Sequence, residues 1–462
     1  MKANLFIKWS IGIVCSICFV LLLFYVQRSN FYEVIVLYAI LFTAYWYVIV
    51  KKEIFTTKQL VGFGIAVRCI AIFSLPNFSD DYFRFVWDGH LLNNGTNPFS
   101  VLPINYLQQH PSGYLQTVFN GLNSPKYFSV YPPLLQSIFS LANFISPTNI
   151  HGAVMVMKVF VVAAEIGIII FLQKYLSLLL QPNVSISFKK TSEQKDVNQN
   201  LSPSIFKPTL SKRNILLYAI NPLTIIELSG NLHFEAFMIF GMVACLYFYQ
   251  KQQLYKSAFH FAIAVGAKLI PLIFLPLFLK QLGFKKFIPF AIIVCLLPAL
   301  SFIAFYEPNL FQNISSSFSL YFKNFEFNAS VYYFIRWVGF QIKGYNIIQQ
   351  AAPFISLATI VFILAIAFLS SKKQSIAAKM LFTLSIYVLF STIVHPWYAL
   401  PLVAFAVVTN YRFAIIFSMM LPLSYYAYSQ QLIKENLWLV GVEYFVVISF
   451  LLYELSKKRI IN

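Results

Sequence analysis

The stretch SDDYFRFVWDGHLLNNGTNPF, residues 79–99, concentrates charge in a chain that is otherwise mainly apolar. The sequence contains four aspartates, and Asp80, Asp81 and Asp88 all lie in this stretch. On a helix, Asp81, Arg84 and Asp88 would share one face, and Asp80 would lie four residues from Arg84. One guanidinium would then keep the neighbouring carboxylates ionised. The alternative is a solvated cluster that only caps a membrane helix.

The composition around this stretch predicts a membrane protein. Of the 462 residues, 59% are hydrophobic and 11% are charged, and no soluble fold needs so much apolar surface. The formal net charge of +19 indicates cytoplasmic loops that follow the positive-inside rule, or attraction to anionic lipid. It does not indicate nucleic-acid binding. The five cysteines lie in apolar runs, so no disulfide framework is expected.

The apolar runs predict an all-α, polytopic protein with about 11–13 transmembrane passes. The lysine distribution places the amino terminus in the cytoplasm and the acidic stretch on the opposite side. If the runs at 128–146 and 151–180 both cross the membrane, the polar linker that follows lies outside. If one of them is re-entrant, the linker lies inside, as its charge favours. We expect a single domain, 1–462, made of N-terminal helices (1–76), an extracytoplasmic acidic loop with one or two surface helices (77–126), a flexible polar loop (181–212) and a second extracytoplasmic loop (307–330).

Polar residues also break several apolar runs. Asn221-Pro222 is followed by Glu227, Gly230, Asn231, His233 and Glu235. A helix broken by proline and glycine exposes backbone groups, which predicts that it lines a cavity. The alternative is a structural kink with a buried polar network.

Isolated cations are a second class of candidate. Lys268 lies within an apolar run and would either hold a phosphate or extend to the interface. Arg336 follows the second outer loop, and His395 precedes Pro396 at a span boundary. His395 is expected to titrate near neutral pH or to donate to a phosphate, unless it belongs to an aromatic belt. Lys158 and Glu165, seven residues apart, are predicted to pair within one helix.

Six stretches in this order resemble the GT-C superfamily of integral-membrane glycosyltransferases. They are similar above all to bacterial polyprenol-phosphate-mannose-dependent mannosyltransferases and to the enzyme that adds the first mannose in glycosylphosphatidylinositol assembly. The stretches are DDYFRFVWDGHLLNNGTNPF (80–99), YFSVYPPLLQSIF (127–139), NPLTIIELSGNLHFEAFMIF (221–240), GAKLIPLIFLP (266–276), FEFNASVYYFIRWVG (325–339) and HPWYALPL (395–402).

The resemblance implies a multi-pass enzyme of the bacterial cytoplasmic membrane whose active site faces the extracytoplasmic side. Its donor would be a hexose, most often mannose, on polyprenyl phosphate, and its acceptor a glycan or a lipid. The catalytic base would be Asp80 or Asp81, since the acids are adjacent here and not spaced Asp-x-Asp as in some relatives. No cofactor is implied, although a divalent metal near the acidic pair is compatible with the chemistry. The residues assigned to the donor phosphate or the cavity are Arg84, Asp88, Asn231, His233, Lys268, Arg336 and His395.

Two other functions fit the same residues. A transporter or flippase would use the broken helices and membrane-embedded charges as a substrate path. A scaffold in an envelope-assembly complex would need none of the acids.

Overall fold

A computed structural model describes residues 2–181, 210–371, 374–430 and 433–461. In these ranges the secondary structure is helical, apart from one parallel bridge between Phe327 and Ile393. The predicted flexible loop at 181–212 lies outside the described residues except at its ends. The helices of the first half are α1 (Lys2–Phe24), α2 (Phe31–Val50), α3 (Thr57–Ala71), α4 (Asp81–Asn93), α5 (Pro103–Gln109), α6 (Gly113–Asn120), α7 (Pro133–Ile145), α8 (Ile150–Leu179), α9 (Leu216–Ala219) and α10 (Pro222–Thr224). Those of the second half are α11 (Glu235–Gln250), α12 (Leu254–Ala267), α13 (Leu275–Ser301), α14 (Leu310–Asn324), α15 (Val331–Lys343), α16 (Ile348–Leu369), α17 (Ile376–Phe390), α18 (Leu400–Val407), α19 (Phe413–Met420) and α20 (Leu437–Ile461).

Long apolar helices confirm the predicted all-α, polytopic architecture. Among the described residues, six helical stretches are long and apolar enough to cross a membrane, and a bent pair makes a seventh. Four further apolar helices have only 10–17 residues. The predicted 11–13 passes therefore exceed the number of continuous spans, because several predicted runs fold as short or broken helices. The six stretches are Leu5–Phe24, Phe31–Val50, Ile150–Leu179, Ile270–Phe305, Ile348–Leu369 and Leu437–Lys457.

The polar regions contain more helix than the sequence predicts. The acidic loop at 77–126 holds three helices, α4, α5 and α6, where one or two were expected. The second outer loop, 307–330, contains α14. Helix α13 is kinked at Gly283, whose φ of 69° interrupts the helix, a conformation that glycine adopts without steric cost.

A broken helix lies at the centre of the fold. After α10 the chain forms a π-helical turn, Ile225–Gly230, and then bends by 120° into α11. Asn221 caps α10, since its Oδ1 accepts from the backbone N–H groups of Leu223 and Thr224 at 3.0 and 3.2 Å. The break thus leaves backbone groups that side chains from other helices satisfy.

A buried ion pair between α3 and α8 supports this break. Arg68 Nε donates to Glu165 Oε1 at 2.7 Å, and both side chains are fully buried. The same guanidinium donates to the carbonyl of Ala219 at 2.6 Å and to Thr224 Oγ1 at 3.2 Å. Ser229 Oγ of the π-helical turn donates to the other oxygen of Glu165. One ion pair therefore connects three segments of the core.

The predicted pairing of Lys158 with Glu165 is wrong. Because Arg68 takes Glu165, the ammonium of Lys158 donates to the carbonyls of Ala71 and Ser74 at 3.0 and 2.7 Å. Lys158 therefore caps the carboxyl end of α3, where carbonyls lack intrahelical partners.

We expect Gly64→Ala to destabilise the protein, because a Cβ at Gly64 would lie 2.1 Å from the carbonyl oxygen of Ala219. Moving α3 away from the segment that contains Ala219 should lower the free energy of unfolding by about 1–3 kcal/mol, the usual range for overpacking. Thermal unfolding in detergent measures the effect as a lower melting temperature.

Gly62→Ala is the matched control on the same helix, since a Cβ there meets nothing within 4 Å. It should leave the melting temperature unchanged or raise it. Equal melting temperatures for the two variants would show that α3 does not pack on the broken helix as described.

Candidate functional site

The acidic stretch is anchored to the broken helix before α4 begins. Asn231 Oδ1 accepts from the backbone N–H of Phe78 at 3.1 Å. Asn77 Nδ2 donates to the carbonyl of Leu23 at the end of α1, at 3.2 Å. These two bonds fix the chain on both sides of Phe78, and the helix that follows starts at Asp81. Asn231, a predicted cavity residue, therefore positions the aspartates.

Asp80 pairs with an arginine that the sequence analysis did not select. Arg28, in the turn between α1 and α2, forms an ion pair with Asp80 Oδ2, and its guanidinium carbon lies 4.5 Å from the ring centroid of Tyr428. The predicted meeting of Asp80 with Arg84 does not occur. The sequence did contain a signal for Arg28. An arginine in a short turn that is predicted to be extracytoplasmic departs from the positive-inside rule, which suggests a specific role.

Asp81 is half-buried at the first position of α4. Its Oδ1 accepts from Asn123 Nδ2 at 2.8 Å, and its carboxylate is close enough to His233, Glu235 and Lys268 for their charges to act on it. Desolvation raises the pKa of Asp81 above its ordinary value, while His233, Asn123 and Lys268 oppose the rise. A carboxylate with a raised pKa is a stronger base than one in free solution.

Arg84 and Asp88 pair with each other inside the fold. Arg84 Nε donates to Asp88 Oδ1 at 2.7 Å in a buried pair, and Arg84 Nη1 donates to the carbonyl of Tyr127 at 2.9 Å. Asp88 also accepts from Ser129 Oγ and Gln136 Nε2. The pair therefore ties α4 to the segment before α7, and it agrees with the predicted placement of Arg84 and Asp88 on one helix face.

Lys268 lies at the break between α12 and α13 and pairs with a residue of another helix. Its ammonium forms an ion pair with Glu235, the first residue of α11. Lys268 Nζ also lies 4.3 Å from the ring centroid of Tyr398. Lys268 is half-buried and Glu235 is buried, so the pair holds a cation and an anion next to the broken helix.

Stacked rings join the other predicted residues. His233 stacks on Trp397 with centroids 3.9 Å apart, and Trp397 stacks on His395 at 4.5 Å. His395 stacks in turn on Phe327 at 4.8 Å. The bridge between Phe327 and Ile393 holds this arrangement, since the N–H of Val394 donates to the carbonyl of Phe327 at 2.8 Å.

The stack changes the expectation for His395. Desolvation and the nearby charges of His233, Lys268 and Arg28 lower the pKa of His395 to about 3. At neutral pH the ring is therefore uncharged, and it does not titrate there as predicted. The aromatic alternative describes its surroundings better.

His233 is held by the π-helical turn. Its Nδ1 lies 2.7 Å from the carbonyl oxygen of Glu227, so Nδ1 carries the proton. The Glu227 carboxylate accepts from Tyr425 OH and, at 3.2 Å, from Asn231 Nδ2. His233 Nε2 is buried without a hydrogen-bond partner in the described part of the chain. On a neutral ring it is an acceptor, not the donor that a phosphate would need.

Arg336 belongs to a neighbouring cluster. It pairs with Glu326, and its guanidinium carbon lies 4.3 Å from the ring centroid of Tyr333. Tyr333 OH donates to Glu435, which also accepts from the backbone N–H of Asn328 at 2.6 Å. This cluster fixes the end of the second outer loop, and Arg336 does not reach the aspartates directly.

Of the predicted residues, the structure brings together Asp80, Asp81, Asn231, His233, Lys268 and His395. Sequence reasoning missed Arg28 and Asn123, and it gave Glu235 no specific partner. Over the described ranges, no three His, Cys, Asp or Glu side chains converge in a way that could hold a metal ion.

Comparison of the chain with known proteins finds no matching family model, no matching curated protein and no matching solved structure.

Proposed function

We propose that this protein is a glycosyltransferase that moves a hexose, in the first instance mannose, from a polyprenyl-phosphate carrier to an extracytoplasmic glycan or lipid acceptor. The proposal starts from the resemblance of its motifs to the GT-C superfamily. The observation that carries it is the convergence of the Asp81 carboxylate with the Glu235–Lys268 pair and His233. An acid that accepts a proton and a cation that stabilises a phosphate are the two groups that such a transfer needs.

In this reaction Asp81 serves as the general base. It takes the proton of an acceptor hydroxyl while the hydroxyl oxygen forms a bond to the anomeric carbon. The bond from that carbon to the phosphate oxygen breaks, and its electron pair leaves with the polyprenyl phosphate. Asp81 suits the role better than Asp80, because Arg28 holds Asp80 in an ion pair, whereas within the described ranges the Asp81 carboxylate accepts a single, neutral hydrogen bond, from Asn123.

Cations beside Asp81 are suited to the leaving group. Lys268 lies against Tyr398 and Glu235, and Arg28 lies against Tyr428 and Asp80. Each cation is held by a carboxylate and an aromatic ring, so its position is set before a phosphate arrives. These side chains can neutralise the departing phosphate, and a divalent metal is not required.

A lateral apolar cavity is suited to the isoprenoid tail. It measures about 410 Å³ and lies among α1, α2 and α3. Its α1 lining runs only from Leu5 to Phe19, toward the end of the helix opposite to the turn that carries Arg28, so the distal part of a long isoprenoid tail would occupy it. Its lining includes Leu5, Trp9, Gly12, Cys15, Phe19, Leu41, Leu60 and Phe63.

We expect Asp81→Asn to abolish transfer of radiolabelled mannose from polyprenyl-phosphate-mannose to an extract of acceptor lipids and glycans. An amide cannot take the acceptor proton, and loss of a general base typically costs about 10²–10⁴-fold in rate. Asp80→Asn should reduce the rate less, because Asp80 acts through Arg28.

Glu33→Gln is the matched control, since Glu33 is exposed at the start of α2, near the same end of α1. It should transfer at the full rate. A folded Asp81→Asn variant with full activity would rule out the assigned base, and a panel of other polyprenyl-phosphate sugars would test the choice of mannose.

We expect Asn123→Ala to move the acidic limb of the pH–rate profile to higher pH. The hydrogen bond from Asn123 stabilises the ionised carboxylate and so lowers the pKa of Asp81. Its loss should raise that pKa, so that Asp81 stays protonated and inactive to a higher pH. The change should be visible in the pH dependence of kcat/KM, which reports the pKa of the base in the free enzyme. Asn120→Ala, at an exposed residue of the same loop, should leave the limb in place. If Asn123→Ala lowers the rate but leaves the acidic limb of the pH–rate profile in place, the role of Asn123 is purely structural.

We expect Gly12→Leu to raise KM for a long-chain donor and not for a donor with a short prenyl chain. The leucine would project into the cavity, because a Cβ at Gly12 meets nothing within 4 Å. Gly62→Leu, at an exposed glycine outside the cavity lining, controls for the change of residue type. Equal KM values for both variants and both donors would remove the cavity from the donor site.

The bent helix pair favours a transporter as the second candidate function. Pro222–Gly230 and Glu235–Gln250 meet at 120°, and buried Glu227 and His233 lie at the bend. Discontinuous helices of this kind line substrate paths in secondary transporters. Movement of a lipid-linked sugar across liposomes without a covalent product would support this function over the transferase.

A further inference from the structure

We infer that the protein binds a phosphate-type anion at a second site, at the end of α17 opposite to the aspartates in the predicted topology. The site is formed by Lys379 and Thr383 of α17 and by Lys280 of α13. It is independent of the proposed transferase function.

Lys379 is a buried cation without an acceptor. Its side chain is 1% exposed, and in the described part of the chain its ammonium has no hydrogen-bond partner. Thr383 lies one turn further along the same helix face and is fully buried, and its hydroxyl also has no partner there. A buried ionised group is costly unless it is paired. Two unused donors on one face therefore indicate a missing acceptor.

Lys280 adds a second positive charge. It is close enough to Lys379 for their charges to repel. Its own ammonium donates to the carbonyls of Phe368 and Ser370, at 2.5 and 2.9 Å, and so caps α16. These two hydrogen bonds favour a position of Lys280 that leaves its charge near Lys379. An anion between the two lysines would compensate both charges.

The described helices around Lys379 offer no carboxylate for this purpose. The helices that pack most closely against α17 are α13, α15, α16 and α18, together with the short turn Ile270–Phe274. None of them contains an aspartate or glutamate, and the sequence has no acidic residue between Glu326 and Glu435. The counter-charge of Lys379 must therefore come from outside these helices.

The donor set favours a phosphate group. A lysine is a common point-charge ligand for phosphate, and a threonine hydroxyl donates one further hydrogen bond. The phosphate could belong to the headgroup of an anionic lipid or to a free phosphate ion. The lysine-rich ends of the helices are predicted to face the cytoplasm, where anionic lipids accumulate in many membranes.

The test compares the full-length protein in phosphatidylcholine nanodiscs, in nanodiscs containing phosphatidylglycerol, and in phosphatidylcholine with added inorganic phosphate. We expect phosphatidylglycerol to raise the melting temperature of the unmutated protein. Lys379→Met should be more stable than the unmutated protein in phosphatidylcholine, because it removes an unpaired buried charge. It should gain nothing from either anion and should retain about tenfold less phosphatidylglycerol in native mass spectrometry, the loss expected for one charged contact.

Two further variants make the result decisive. Lys379→Arg keeps the charge and should keep the anion dependence, whereas Lys58→Met, at an exposed lysine of α3, should behave like the unmutated protein. Stabilisation by phosphatidylglycerol alone would identify a lipid headgroup, and stabilisation by inorganic phosphate as well would identify a free oxyanion. An unmutated protein indifferent to both, or a Lys379→Met variant with an undiminished response, would overturn the site.

Discussion

The buried ion pair between Arg68 and Glu165 is the constraint on which the architecture depends. A helix that breaks inside an apolar core leaves carbonyl and N–H groups that water cannot reach. Arg68 satisfies the carbonyl of Ala219 before the break, and Glu165 accepts from Ser229 within the π-helical turn. Each of the two charges is compensated by the other and by the groups it satisfies, so the pair can remain ionised without solvent. Without it, the break would have to straighten or expose its backbone.

The break in turn creates the candidate site. Because the chain bends after Gly230, Asn231 reaches the backbone of Phe78, while His233 and Glu235 project beside the start of α4. The bend therefore brings together Asp80 and Asp81, two helices of the amino-terminal half, and Lys268 at a second break. Residues far apart in the sequence acquire a common environment through a single bend. A continuous helix would have separated them along its length.

The sequence predicted which residues lie at the candidate site better than it predicted which residues they contact. The acidic cluster and the polar break at Asn221-Pro222 were identifiable, because charge in an apolar chain is rarely accidental. Helical spacing correctly placed Arg84 and Asp88 on one face. It also suggested that Asp80 meets Arg84, whereas Arg28 comes from another turn to pair with Asp80. Spacing describes neighbours within a helix and contains no information on which distant helix approaches. The neutral state of His395 follows from its ring stack, which depends on the same long-range packing.

The excess of positive charge has a structural explanation, which affects how far basic residues can be used to locate a functional site. Several cations satisfy carbonyls at the carboxyl ends of apolar helices: Lys158 at α3, Lys280 at α16, Arg213 at α2 and Arg412 at α18. Such cations interact favourably with the helix dipole and need no carboxylate. With 34 basic and 15 acidic residues, the chain cannot pair every cation with an acid. A basic residue that donates to backbone carbonyls has a structural role, so its position does not by itself indicate a catalytic or binding site. The positions of the acids are more informative where no structural use accounts for them. Glu165 supports the broken helix, and Glu454 accepts from the N–H groups of Arg412 and Phe413 at the start of α19. The proposed active site therefore rests on the clustering of acids around α4 and the broken helix more than on any lysine nearby.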